Sequence, residues 1–231
     1  MKFRSVLLAA VATLAWHAGA SAQAVRGPYV ALGAGANLMS DGSSTYSYGS
    51  TSPVLAVLAP APGRRIDPGY TLVASLGWGF GNGLRAEIEG NYRSNQFSDY
   101  NASIEKAGMM ANVFYDFYSL SPAVIPYVGA GIGFASVSQP ALSLVSGTTT
   151  VSVGNQSDVA FAYQAIAGLA VPIAAFPGLA ITGEYRFYGL SGNTNYSGIE
   201  VISTPNSVTT RFQSRETDYS HSLMLGLRYA W

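Results

Sequence analysis

The sequence has no cysteine, few charged residues and no long apolar segment after its first residues. Cysteine is absent from all 231 residues, which excludes disulfide scaffolds, thiolate metal sites and cysteine nucleophiles. Charged residues make up 10% of the chain, whereas an average soluble domain has about 25%. So little charge indicates that much of the protein surface does not face water.

The charges that are present balance, with 12 Lys and Arg against 12 Asp and Glu. Proteins that bind nucleic acid usually carry a clustered basic face, so we expect no nucleic-acid partner. The chain has two histidines, His17 and His221, and His17 falls in a segment that we expect to be removed. One remaining histidine without cysteine does not predict a transition-metal site.

The first residues have the three parts of a secretory signal peptide. Lys2 and Arg4 precede an apolar run that ends near Trp16, and small residues follow up to an A-x-A site at 20–22. We expect cleavage before Gln23, with cleavage before Val25 as the alternative. The sequence therefore predicts a signal peptide at 1–22 and a mature domain at 23–231. The apolar run is too short to span about 30 Å of hydrocarbon as an anchor.

After the signal, the sequence has no segment of about 18 apolar residues that could form a membrane-spanning helix. Only helices and closed barrels cross a bilayer, because every backbone polar group must be paired within the protein. If this exported, charge-poor chain lies in a membrane, it must therefore be a β-barrel.

The last eleven residues, HSLMLGLRYAW, alternate with the period of a β-strand. One face holds large apolar and aromatic residues, and the opposite face holds small ones and Arg228. We expect this segment to close the barrel and to act as its assembly signal through five residues of the apolar face: Leu223, Leu225, Leu227, Tyr229 and Trp231.

Other predicted strands have the same alternation, and their charges lie on the faces opposite the apolar residues. A soluble barrel places its apolar faces inward, whereas a transmembrane barrel turns them towards lipid. The second arrangement predicts a cluster of balanced charges inside the barrel: Arg85, Glu87, Glu89, Arg93, Asp116, Glu184, Arg186 and Arg228. Glycines at every second position, such as 129, 131 and 133, leave room for larger side chains in a narrow barrel.

The predicted connections between strands alternate between long and short. The short ones are 81–83, 118–124 and 172–178, and the long ones are 40–68, 95–106, 138–157 and 191–217. Outer-membrane barrels have long external loops and short periplasmic turns. The sequence thus predicts an all-β fold, an eight-stranded antiparallel up-and-down transmembrane barrel with both termini in the periplasm.

These segments resemble the small outer-membrane β-barrel proteins of Gram-negative bacteria, the porin-like and surface-antigen barrels related to the membrane domain of outer membrane protein A. The similar segments include GFGNGLRAEIEGNYR, PYVGAGIGFA, FAYQAIAGLA, GEYRFYG and the ending HSLMLGLRYAW. The resemblance implies an outer-membrane location among phospholipid and lipopolysaccharide. It also implies that the barrel-assembly machinery recognises the end of the chain, where Trp231 stands in place of the commoner phenylalanine.

Four functions are compatible with the sequence. The first is a structural, surface-exposed barrel that supports the envelope, and the second is a narrow porin-like channel for small solutes. The third is adhesion, in which the long loops bind a host or phage ligand. The fourth, which the sequence supports least, is a lipid-modifying enzyme of the outer membrane. We expect no cofactor, no metal site and no catalytic residues.

Two short motifs resemble catalytic groups. Ser220, His221 and Ser222 form a serine–histidine pattern, but alternation turns His221 away from both serines. Glu87 and Glu89 resemble an acid–base pair, but the neighbouring arginines favour ion pairing.

Overall fold

A computed structural model describes residues 24–39, 44–48, 67–96, 103–121, 123–139, 142–146, 149–153, 156–191, 199–203, 206–210, 212–216 and 218–231. The predicted signal peptide at 1–22 lies outside these ranges. The described residues form fourteen strands, which are numbered here in chain order. Eight of them build the main sheet: β1 (Arg26–Met39), β3 (Gly69–Phe80), β4 (Leu84–Gln96), β5 (Ser103–Asp116), β6 (Ile125–Gln139), β9 (Gln156–Pro172), β10 (Leu179–Ser191) and β14 (Asp218–Ala230).

The eight long strands form a closed antiparallel barrel in the order β1-β14-β10-β9-β6-β5-β4-β3. Closure is made by β1 and β14, which pair from Tyr29 opposite Ala230 to Met39 opposite Ser220. The predicted eight-stranded, all-β fold is confirmed. A closed sheet has no free edge, so the backbone groups of the wall are paired within the sheet, as a hydrocarbon environment requires.

Alternation along each strand divides the barrel into an inner and an outer face. On β4, Arg85, Glu87 and Glu89 are buried, whereas Leu84 and Ile88, at alternate positions, are exposed. Inward, buried residues alternate in the same way with outward, more exposed residues on β14. The polar faces of the strands therefore point inward and the apolar faces point outward, which is the reverse of a soluble barrel.

Three connections at one end of the barrel are short, as the sequence predicts. Residues Gly81–Gly83 join β3 to β4, 117–124 join β5 to β6, and 173–178 join β9 to β10. Gly81 and Gly83 have φ of 78° and 93°, a left-handed conformation that favours glycine. Strand β1 begins and β14 ends at this same end, which we call the short-turn end.

The long connections at the other end are shorter than the sequence indicated, because five barrel strands extend into them. Residues 95–96 and 103–106 belong to β4 and β5, residues 138–139 and 156–157 belong to β6 and β9, and residue 191 belongs to β10. The predicted boundaries were therefore wrong at these positions. The strand ends are rich in Ser, Asn and Gln, so composition indicates a loop although the inward and outward alternation continues.

Six short strands lie within the long connections and pair with one another outside the barrel sheet. They are β2 (Ser44–Tyr48), β7 (Leu142–Ser146), β8 (Thr149–Val153), β11 (Ile199–Ser203), β12 (Asn206–Thr210) and β13 (Phe212–Glu216). Four of them form a sheet in the order β12-β11-β8-β7, and β13 pairs with β2. Three of the four long connections are thus joined through backbone pairing, which the sequence analysis did not predict.

Candidate functional site in the barrel interior

Every residue of the predicted charge cluster points into the barrel. Seven of them are at most 6% exposed: Arg85, Glu87, Glu89, Arg93, Asp116, Arg186 and Arg228. The eighth, Glu184, has a side chain that is 14% exposed. Four come from β4, two from β10 and one each from β5 and β14, so the antiparallel register brings residues distant in sequence together inside the barrel.

Arg85 and Asp116 form a two-pronged ion pair near the short-turn end. Arg85 Nε and Nη2 donate to the two carboxylate oxygens of Asp116 at 2.8 and 2.9 Å. The Arg85 guanidinium also lies 4.6 to 5.2 Å from the ring centres of Tyr29, Phe114 and Tyr127. Paired hydrogen bonds and contact with aromatic rings are the environment that a buried guanidinium requires.

Tyr29 connects this ion pair to Glu87. Arg85 Nη1 donates to the Tyr29 hydroxyl at 3.0 Å, and that hydroxyl donates to Glu87 Oε2 at 2.9 Å. The second oxygen of Glu87 accepts from Asn112 Nδ2 at 3.1 Å. Both oxygens of this buried carboxylate are therefore hydrogen-bonded.

Glu89 is fully buried and accepts from four side chains. Arg186 Nη1 donates to Glu89 Oε2 at 2.5 Å, and Asn112 Nδ2 donates to the same oxygen at 3.0 Å. Asn91 Nδ2 donates to Oε1 at 3.2 Å, and Gln164 Nε2 lies 3.4 Å from both oxygens. A buried carboxylate is stable only with such compensation, because desolvation of an ion is costly.

Arg186 forms ion pairs with both Glu89 and Glu184. Its Nε donates to Glu184 Oε2 at 2.6 Å, while its Nη1 bonds Glu89. The other oxygen of Glu184 accepts from the Tyr127 hydroxyl at 2.6 Å. Both carboxylates therefore have a cation and a neutral donor, which supports ion pairing for Glu89, whereas Tyr29 and Asn112, which donate to Glu87, are neutral.

Arg228 and Arg93 are held differently. Arg228 Nη1 lies 3.8 Å from Asp116 Oδ2, an ionic contact longer than a hydrogen bond. The Arg93 guanidinium lies 3.7 Å from the centre of the Tyr188 ring, and its Nη1 donates to Asn91 Oδ1 at 2.6 Å. These arginines occupy opposite ends of the interior, because Arg228 precedes the end of β14 and Arg93 precedes the end of β4.

The sequence analysis did not predict the polar residues that fill the barrel interior near the long connections. Lys106 is 3% exposed, and its Nζ lies 3.7 Å from Met39 Sδ. Asn37 donates to Asn95 at 2.6 Å and accepts from Ser222 at 2.7 Å. Lys106 and Asn95 were not predicted as interior residues, because both fall in the segment 95–106 that the sequence predicts as a loop. The signal that could have found them is the alternation, which continues through Ile104 and Lys106.

We call the eight predicted charges and their hydrogen-bonded partners the interior network. Within it lies a cavity of about 20 Å³, lined by side chains that include Arg85, Glu87, Glu184 and Arg228. A cavity needs roughly 10–15 Å³ to hold a water molecule, so this one has room for about one. Side chains thus fill the barrel at this level, as expected for eight strands.

Glycines opposite aromatic rings allow this filling. The ring of Tyr29 lies over Gly77, its partner on β3, and a Cβ there would be 2.2 Å from Tyr29 Cζ. In the same way, a Cβ at Gly129 would be 2.3 Å from the Phe114 ring on β5. The glycines of the strands thus provide the space that the large inward side chains need.

The five residues of the predicted assembly signal lie on the outer face. Leu223, Leu225, Leu227, Tyr229 and Trp231 are 44 to 64% exposed. Aromatic residues border the apolar wall at both ends, and on β14 the borders are Tyr219 and Tyr229. Ten residues of a tilted strand separate these two, a height of roughly 25 Å, which matches the apolar band of outer-membrane barrels.

The serine–histidine motif does not assemble. Ser220 and Ser222 are buried inside the barrel, whereas His221 lies on the outer wall. Its Nδ1 lies 2.7 Å from the hydroxyl of Tyr185, another outward residue. Among the described residues, no group of three or more His, Cys, Asp or Glu is arranged to hold a metal ion.

No helix in the described part of the chain is long and apolar enough to cross a membrane, a result that does not concern crossing by strands. An outward apolar wall, aromatic borders and an inward charged network define the class, a transmembrane β-barrel. The chain belongs to the outer membrane protein beta-barrel domain family, whose model matches residues 6–230. It is therefore an outer-membrane β-barrel protein of the Gram-negative type.

Known proteins agree with this class. The outer membrane protein of Gluconacetobacter diazotrophicus is 31% identical over 250 residues, and the alignment covers 100% of this chain. The chain spans only 64% of the length of that relative.

Two solved structures share the fold. Neisserial surface protein A is 19% identical with a TM-score of 0.51, covering 93% of this chain and 100% of that protein. OprG from Pseudomonas aeruginosa is 11% identical with a TM-score of 0.53, covering 91% and 100%. At such identities the similarity shows the fold alone.

Proposed function

We propose that the protein is a closed, structural barrel that stabilises the outer membrane and presents its long connections at the cell surface. The observation that carries this proposal is the interior network, whose paired charges surround a cavity of about 20 Å³, room for about one water molecule. A role without catalysis is supported by the separation of His221 from Ser220 and Ser222 on opposite faces of the wall.

We also propose that the short-turn end faces the periplasm and the long connections face outward. The alternation of connection lengths supports this orientation, because outer-membrane barrels have short periplasmic turns. A single cysteine in the connection at 49–66 should react with an impermeant maleimide on intact cells. A cysteine in the turn at 117–124 should react only after lysis, and the reverse labelling pattern would contradict the orientation.

A surface role would be carried by the long connections at 40–68, 95–106, 138–157 and 191–217, which are the candidates for a host or phage ligand. The pairing of β8 with β11 and of β2 with β13 supports this role, because it joins three of these connections into shared sheets. Surface loops placed by a rigid scaffold commonly carry recognition.

The outer face supports two further partners. Outer-membrane phospholipid and lipopolysaccharide would contact the apolar wall, and the barrel-assembly machinery would recognise β14 during insertion. Support comes from Leu223, Leu225, Leu227, Tyr229 and Trp231, which share the outer face, while β14 pairs with β1 to close the sheet.

The proposal is tested in a deletion strain scored for detergent sensitivity, envelope permeability and surface adhesion. We expect increased detergent sensitivity, which the full-length gene should reverse. A variant lacking residues 142–153 should restore detergent resistance but not adhesion, because the removed residues lie outside the barrel sheet. A deletion strain that is unchanged in all three measurements would contradict the proposal.

A narrow channel for small solutes is the second candidate. It is favoured by the charged side chains that line part of the interior cavity and by buried polar atoms that have no hydrogen-bond partner among the described residues, such as Thr71 Oγ1 and Gln164 Oε1. Recording from purified protein in planar bilayers separates the two candidates. Steady open-channel steps would support the channel, and a silent bilayer that contains folded protein would support the closed barrel.

A further inference from the structure

Glu87 and Arg228 are charged residues of the interior network that have no hydrogen bond to an opposite charge. The donors to Glu87, Tyr29 and Asn112, are neutral, and no Lys or Arg in the described part of the chain donates to it. Arg228 Nη1 has no hydrogen-bond partner among the described residues and lies 3.8 Å from Asp116 Oδ2. Both side chains are buried, at 6% and 5% exposure. A buried charge without such a partner is costly, so each requires another compensation.

The charges of these two residues complement each other. Asp116 compensates Arg228 only in part, because Arg85 already donates to both of its carboxylate oxygens. One negative charge therefore faces two guanidinium groups at this point, and Glu87 supplies the second negative charge. The hydrogen bonds of Glu87 and the ion pair of Arg228 nevertheless do not join these two side chains to each other.

Both residues line the interior cavity of about 20 Å³. Ala31 also lines this cavity and lies directly opposite Arg228 in the β1–β14 pair. Its methyl group leaves space beside the guanidinium that a larger side chain would fill. The space between the two complementary charges thus has room for about one water molecule.

Size and charge together select the occupant of the cavity. A phosphate, a sugar or any larger solute does not fit in this volume. A bound anion would be repelled by Glu87, and a bound cation would be repelled by Arg228. A water molecule is neutral, accepts from a guanidinium and donates to a carboxylate. Buried waters typically make about three hydrogen bonds to polar groups that otherwise lack partners.

We propose that this cavity is a binding site for one water molecule, which accepts a hydrogen bond from Arg228 and donates one to Glu87. The water bridges β14, the strand that closes the barrel, to β4. Arg228 is the only charged side chain that points inward in the described part of β14. The bridge therefore connects the closing strand to the carboxylates of β4 across the barrel interior.

A crystal structure of the purified protein, at a resolution that shows ordered waters, tests the site directly. We expect one water within hydrogen-bond distance of both Arg228 and Glu87. Ala31→Val should displace this water, because the added methyl groups enter the cavity. Ala34→Val is the matched control, since Ala34 is an exposed residue of the same strand on the outer face, and this variant should keep the water.

A double-mutant cycle tests the link between the two charges. Arg228→Met, Glu87→Gln and the double variant are unfolded with urea in detergent micelles, and a heat-modifiable band establishes that each is folded. The double variant should cost less than the sum of the single variants, by about tenfold in the unfolding equilibrium constant, because either single change leaves one buried charge without its complement. Arg93→Met combined with Glu87→Gln is the control and should be additive, since Arg93 lies near the opposite end of the interior.

An empty cavity, or a direct hydrogen bond between Arg228 and Glu87 with no water between them, would overturn the site. So would a continuous file of waters from this cavity to both ends of the barrel, which would support the channel instead. A folded Ala31→Val variant that keeps the bridging water would contradict the position of the site. Additive effects of Arg228→Met and Glu87→Gln would show that the two charges are not linked.

Discussion

Glu89 shows how a single charged residue is accommodated inside this barrel. Its carboxylate is fully buried. Three of its partners lie on other strands, Arg186 on β10, Asn112 on β5 and Gln164 on β9, and the fourth, Asn91, lies on β4 itself. Removing one member of a buried, hydrogen-bonded ion pair typically costs 3–5 kcal/mol, because the remaining charge has lost its compensation.

We expect Glu89→Gln to lower the free energy of unfolding by about 3 kcal/mol, the lower end of that range, because Arg186 keeps Glu184 as a partner. Urea unfolding in detergent micelles measures the change. Glu105→Gln is the control, since the same substitution at an exposed carboxylate should cost less than about 1 kcal/mol. Equal costs at both positions would show that burial of Glu89 does not matter.

Gly77 is required for a different reason, because the ring of Tyr29 fills the place of its missing side chain. Gly77→Ala should lower the free energy of unfolding by roughly 1–3 kcal/mol, since the ring and its hydrogen bond to Glu87 must move. Gly183→Ala, where the nearest atom to the new Cβ is 3.9 Å away, should be close to neutral. The same urea titration compares them, and a neutral Gly77→Ala would contradict the packing argument.

Alternation in the sequence was sufficient to place Arg85 and Asp116 on polar faces, but not to pair them. The pair forms because β4 and β5 are adjacent and antiparallel, a register that sequence periodicity does not contain. The sequence does not predict Lys106 as an interior residue, because its polar segment has the composition of a loop although it belongs to β5. At the residue scale, the sequence therefore predicts which side chains point into the barrel, and the register of the strands determines which of them pair.

At the scale of the strand, β14 shows which environment the outer face meets. Leu225 is 64% exposed in the middle of the strand, and Tyr229 is 44% exposed near its end. An exposed leucine in water is readily replaced by a charged residue. In a bilayer the same replacement is costly at the centre and nearly free at the interface.

We expect Leu225→Arg to destabilise the folded barrel in lipid bilayers by about 2–4 kcal/mol, and Tyr229→Arg by about 1 kcal/mol or less. Reversible denaturant unfolding in liposomes measures both changes. The dependence on depth is the diagnostic result, because a water-exposed wall would tolerate both substitutions equally.

At the scale of the whole molecule, the closed sheet and the sheets of the long connections are separate units of backbone pairing. No pairing between β7 or β8 and a barrel strand is present among the described residues. The barrel strands therefore keep all their ladder partners when the β7–β8 hairpin is absent.

Deletion of residues 142–153 should consequently leave assembly intact. We expect the variant to show the same heat-modifiable folded band as the wild type in outer-membrane fractions, with a change in unfolding free energy of less than about 1 kcal/mol, in line with the tolerance of surface loops to length changes. Loss of the folded band would mean that the hairpin contributes to barrel formation.

The sequence by itself determined the fold class, the number of barrel strands and the face on which each charge lies, because these follow from a period of two and from backbone pairing in hydrocarbon. Only the tertiary structure decided which charges pair and how far the strands extend. Those features arise between strands that are distant in sequence, and they depend on the register in which the closed sheet brings them together.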